Sequence, residues 1–144
     1  MNIGNQCHNM AAVAKHPWYF ETDCARDALA GRHLLERYLA DHTREGTDLF
    51  PASLVYGELV SNVIKHAPSG GVRVWLEPYR NAFALCINAA GHGFSERDVQ
   101  RSPDERAESG RGLFIVRQVC EEVSYGSMDG KGFVVRAVLP VSRR

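Results

Sequence analysis

Residues 82–88, Ala-Phe-Ala-Leu-Cys-Ile-Asn, are apolar at odd and even positions alike. A strand with one wet face alternates polar and apolar side chains. A strand without that alternation needs cover on both sides, which places it in the middle of a sheet. The rest of the chain must therefore supply neighbouring strands and a covering layer. It has the material for one core, with 144 residues, 44% hydrophobic and 24% charged.

The remaining elements follow from periodicity and punctuation. Residues 1–15 are polar and unpatterned and read as a flexible N-terminal tail, leaving 16–144 as a single domain. His16 to Glu21 is aromatic-rich and bounded by Pro17 and Asp23, as suits a short edge strand. Asp23 can cap a helix reaching Asp41, and Thr43 to Asp48 is a loop. A second helix is expected from Pro51, which suits a first turn, to Ala67, where Pro68 stops it. Val72 to Glu77 and the central run form a pair joined by the Pro78 to Asn81 turn. Ser95 to Ser109 is a charged loop, and Gly110-Arg111-Gly112 opens a third helix, Leu113 to Glu122. Val123 to Met128 and Phe133 to Leu139 make a last hairpin around Asp129-Gly130-Lys131-Gly132. This order predicts an α+β fold: a two-layer sandwich with a mostly antiparallel, mixed sheet and its helices on one face.

Charge and cysteine usage remove several classes of function. Lys plus Arg and Asp plus Glu are 17 each. That balance argues against a nucleic-acid partner bound by phosphate neutralisation and against non-specific attraction to an anionic membrane. No run is apolar enough to span a bilayer, and Met1 to Ala14 lacks the pattern of a signal peptide. Cys7, Cys24, Cys86 and Cys120 show no CxxC spacing, which disfavours zinc. They fall one per segment, as small hydrophobes do in a reducing compartment, so a cytoplasmic location is expected.

Chemistry concentrates on the second helix and two glycine pairs. Ala52, Tyr56, Leu59, Val60, Val63 and Ala67 fall on one side of that helix; Glu58, Ser61, Asn62 and Lys65 fall on the other. Glu58 and Asn62, four apart, offer hard oxygen atoms of the kind Mg²⁺ takes. The same residues would equally suit an ordinary solvated face. Gly91-x-Gly93 follows the central strand, and Gly110-x-Gly112 precedes a helix whose first N–H groups suit phosphate. Neither pair continues as GxGxxG or as a P-loop.

These segments resemble the boxes of the GHKL ATPase superfamily, which includes the histidine kinases. ELVSNVIKHA (Glu58 to Ala67) is similar to its N box, AAGHGF (Ala89 to Phe94) to its first glycine box, and SGRGLFIV (Ser109 to Val116) to its second. Within the superfamily the chain most resembles the stand-alone anti-sigma-factor serine/threonine kinases, which lack dimerisation and phosphoacceptor helices. The resemblance implies ATP and Mg²⁺ as ligands. It makes Glu58 the catalytic base and Asn62 the Mg²⁺ ligand, with Lys65 or His66 near the phosphates. Gly91 and Gly93 would pass close to adenine and ribose, beside Ala89 and Phe94. Ser95 to Ser109 would be the lid, and Gly110, Arg111 and Gly112, followed by Leu113, would approach the phosphates. Implied partners are a sigma factor and an anti-sigma-factor antagonist, with a homodimer also open.

One position departs from the pattern. The first glycine box normally begins with Asp, which accepts a hydrogen bond from the adenine amino group; here that position is Ala89. Asn88 is adjacent but should point the other way along a strand. Loss of such a bond costs about 1.5–3 kcal/mol, or about ten- to a hundred-fold in affinity. Phe133 is a second departure, where family members often carry a small hydroxyl residue. Three functions stay open at this point. They are an ATP-dependent serine kinase that regulates a sigma factor, a protein-binding module of the same fold with weak or no ATP binding, and a detached histidine-kinase catalytic domain.

Overall fold

In the computed structural model, residues 16–22, 25–66, 71–89, 109–128 and 132–144 are described; the side chains of 25, 26, 66, 109–111, 127, 128 and 133 lie outside that description. Five strands and three helices follow one another as β1 (Trp18–Thr22), α1 (Ala25–His42), α2 (Phe50–His66), β2 (Val72–Tyr79), β3 (Ala82–Ala89), α3 (Ser109–Val119), β4 (Val123–Met128) and β5 (Gly132–Val138). The sheet order is β1-β2-β3-β5-β4, so the apolar run is the central strand and the aromatic segment an edge. Every described pairing is antiparallel. The α+β architecture is the one expected.

The opening constraint is met in two different ways. Phe83, Leu85, Ile87 and Ala89 point into one core together with Val72, Val74 and Leu76 of β2, Val135 and Ala137 of β5, and the buried faces of the helices. Each fully buried Leu or Ile there contributes about 1.5–3 kcal/mol. Ala84, Cys86 and Asn88, on the opposite face, are also buried, at 0%, 2% and 4% exposure. Among the described residues no helix covers them. Long side chains from the flanking strands lie across them instead, apolar stems down and polar ends tied to each other. Trp75 Nε1 donates to Glu77 Oε1 at 3.2 Å, Arg136 Nε sits 3.5 Å from Glu77 Oε2, and the Arg136 guanidinium lies 4.6 Å over the Tyr79 ring. Next to them Tyr19 donates to Glu21 at 2.8 Å, which also faces Arg73 at 3.9 Å.

Local rules shift the helix ends. Asp48 Oδ1 accepts the Phe50 N–H at 3.0 Å, so α2 begins one residue before Pro51, with an acidic cap. The third helix begins at Ser109 rather than Leu113 and ends at Val119 rather than Glu122. The Gly110-Arg111-Gly112 stretch is thus its first turn rather than the loop ahead of it. Asp23, the expected cap of α1, and the turn at 129–131 lie outside the described residues, as does the expected lid from Ser95 to Ser109 except for Ser109, which begins α3.

α1 and α2 are locked by contacts that no periodicity reveals. The Tyr56 hydroxyl, fully buried, donates to the Ala28 carbonyl. It reaches it over Gly31, where a Cβ would stand 2.5 Å from the Tyr56 oxygen and 3.0 Å from the Phe20 ring. A polar clasp sits alongside: Arg32 Nε donates to Ser53 Oγ, which donates to Glu36 Oε1 at 2.7 Å. The helix that carries Glu58 and Asn62 is therefore held in both axial position and rotation.

Cys86 and Cys120 are buried free thiols. Burial pushes both up to about 12 from an ordinary 9.0, with Glu77 adding to the effect at Cys86. Unfolded thiols ionise first, so the contribution of these groups to stability is complete below pH 9 and is lost as pH climbs toward 12. Iodoacetamide at pH 8 is expected to spare both residues in the folded protein and label both in urea. Fast labelling of either in the native state would contradict their placement.

Candidate functional site

The polar face of α2 is not simply a solvated one. Ser61 and Lys65 are exposed, as such a face requires, but Asn62 is only 7% exposed and Glu58 is half-buried. The cover comes from α3. A Cβ added to Gly112 would overlap Glu58 Oε2, stand 3.1 Å from Glu58 Cδ and 3.4 Å from Asn62 Nδ2. Only a residue without a side chain lets the first turn of α3 lie directly on the carboxylate and the amide. The two residues singled out on one helix and the second glycine pair are thus in contact, although some fifty positions separate them in the chain.

The local electrostatics suit an anion and a cation side by side. The first turn of a helix presents unpaired N–H groups and the positive end of its dipole. The Glu58 carboxylate already lies against that turn. A phosphate next to it would meet the same donors. Asn62 Nδ2 donates to the Glu58 carbonyl one turn back, at 2.7 Å. That bond fixes the amide plane and commits its nitrogen, so a cation would be met by the amide oxygen. A hard carboxamide oxygen beside a carboxylate, under a helix start with no Cβ in the way, fits Mg²⁺ held together with phosphate oxygens.

The other predicted site residues stand as follows. Lys65 is exposed on the last turn of α2, and His66 ends that helix. Gly110 and Arg111 contribute backbone to the first turn of α3. Leu113 is 3% exposed and belongs to the core cluster. Ala89 ends β3 at 1% exposure, paired with Val72 and Phe133 and turned to the core face. Asn88 pairs with Arg73 on the opposite face, so it brings no polar group to the Ala89 side. Gly91, Gly93 and Phe94 lie outside the described residues. Among those described, no helix is long and apolar enough to cross a membrane.

Residues 20–139, most of the chain, match the family model described as the histidine kinase-like ATPase domain. No curated protein matches the chain.

Proposed function

The chain belongs to the histidine kinase-like ATPase family, and from that premise we propose that it binds ATP with Mg²⁺ and acts as a serine/threonine protein kinase of the anti-sigma-factor type. The observation that carries the reading is the seat of Glu58 and Asn62 beneath Gly112. Phosphoryl transfer needs little beyond positioning and neutralisation of charge, and this cluster offers both. Glu58 accepts the proton of the incoming hydroxyl as its oxygen attacks the γ-phosphorus. The bond from that phosphorus to the β–γ bridging oxygen breaks, and ADP leaves. Asn62 would hold Mg²⁺, which would neutralise charge on the phosphate oxygens. The N–H groups of Gly110, Arg111 and Gly112 hold the phosphates at the start of α3. The acceptor, a serine on a small antagonist protein, and the regulated sigma factor are carried over from the resemblance.

A second reading is favoured by one observation. The position that usually recognises adenine is Ala89, buried among apolar neighbours, and the nearest amide, Asn88, faces away. On that reading the same fold works by protein contact alone. Thermal melting with Mg-ATP separates the two. At a hundred times its dissociation constant a ligand adds about 2.7 kcal/mol, a rise of about 5–10 °C for a chain of this size. A rise of that order is the outcome expected for the kinase. An unchanged melting temperature at millimolar Mg-ATP would remove the kinase and leave the contact module.

A further inference from the structure

A concave site lies at the far end of α3. Seven residues along α3 from Gly112, about 10 Å at helical rise, Val119 enters the wall of a cleft of about 780 Å³. The turn between β2 and β3, the segment 138–142 and the loop ahead of α2 complete it. Its volume is in the range of ligand-sized sites.

The walls are loops, yet they are tied to one another. Arg44 N donates to the Ser142 carbonyl at 3.0 Å, Arg143 N to the Asn81 carbonyl at 2.7 Å, and Arg144 N to the His42 carbonyl at 2.9 Å. The Arg143 guanidinium donates to the Arg80 carbonyl, and Tyr79 donates to Glu122 at 2.7 Å. Arg80 is held at φ 53°, in the left-handed region that a residue with a side chain seldom adopts. Such a residue persists where its surroundings over-determine it. The cleft is therefore formed before anything enters it.

Its chemistry is asymmetric. Val119, Val138 and Val141 make an apolar wall. Asp48 and Glu121 bring two exposed carboxylates to the lining, and neither is in an ion pair among the described residues. The one cation of the lining, Arg80, rests over the Tyr79 ring at 5.2 Å. We propose that this cleft is a docking site for a peptide segment of a partner protein in which an apolar side chain adjoins a lysine or arginine. The apolar side chain fills the valine-lined wall and the cation meets Asp48 and Glu121. Charge complementarity selects this occupant: an acidic segment would face two carboxylates that have no cationic partner among the described residues, although Asp48 Oδ1 also caps α2, and a neutral one would leave that charge unused. The site shares no lining residue with the Glu58–Asn62–Gly112 cluster, so the proposal stands or falls apart from the nucleotide reading.

The test is a titration of the full chain, followed by amide NMR shifts, with acetyl-Leu-Lys-amide and with acetyl-Leu-Glu-amide at millimolar concentration. The lysine probe is expected to shift the amides of Ala82, Val119, Val141 and Ser142, and the glutamate probe to leave them in place. Glu121→Lys should weaken the lysine probe about tenfold or more. Ser142→Trp, which fills the cleft, should abolish its effect while distant amides keep their positions. Equal response to both probes would mean a site for small apolar molecules only and would overturn the proposal. So would no response, or a response that Glu121→Lys leaves unchanged.

Discussion

Gly112→Ala is expected to cut ATP turnover about a hundred- to ten-thousand-fold, the range that a positioned general base supplies, while the folded protein keeps its melting temperature. The added methyl would occupy the space of Glu58 Oε2. That oxygen is the far end of a flexible, half-buried side chain, which is expected to turn toward solvent. Overpacking a closed core costs about 1–3 kcal/mol; here the clash is relieved by one rotation. Alanine also favours a helix over glycine by about 0.5–1 kcal/mol, so the small costs offset. The carboxylate is what moves, and with it the base. ADP release and a melting curve on the same sample check both halves. Normal turnover in this variant would mean that the carboxylate does not work from where it stands. A large loss of stability would mean that the Glu58 side chain is confined.

Ala89→Asp should act in opposite directions with and without nucleotide. The position is 1% exposed, turned to the core face and flanked by Val72 and Phe133. A carboxyl group there lacks a partner when the site is empty, at a cost of about 1–3 kcal/mol. When adenine is present the same carboxyl accepts a hydrogen bond from its amino group. Affinity for Mg-ATP is expected to rise about ten- to a hundred-fold. Melting curves should therefore fall below wild type without ATP and gain a larger shift on adding it. If binding does not tighten, adenine does not lie against the end of β3.

Much of this was legible in the sequence because it depends on periodicity. The apolar run at 82–88 could only be a central strand, and Pro51 and Pro68 bracketed α2 within a residue or two of its ends. Alternation along β3 also put Asn88 and Ala89 on opposite faces. Contacts between segments distant in the chain were the part that did not show. Nothing in the pattern of α2 says that α3 rests on Glu58 and Asn62, or that Tyr56 crosses Gly31 to reach Ala28. The cover over Cys86 is a contact of the same kind: Trp75 and Arg136 stand beside it on the two neighbouring strands, and nothing in the pattern says that long side chains there lie across it. The second glycine pair is expected to open the helix from Leu113, ahead of its first turn. Close approach to Glu58 explains why it lies inside the first turn instead. The second cleft left no trace, since four separate stretches build it and none carries a motif.

The most direct test of the central claim is a crystal structure of the protein with a non-hydrolysable ATP analogue and Mg²⁺. The expected result is triphosphate density between the Glu58–Asn62 face of α2 and the first turn of α3, with the cation on the Asn62 amide oxygen. Nucleotide bound elsewhere, or α3 still seated on Glu58 with no density between them at saturating analogue, would contradict it.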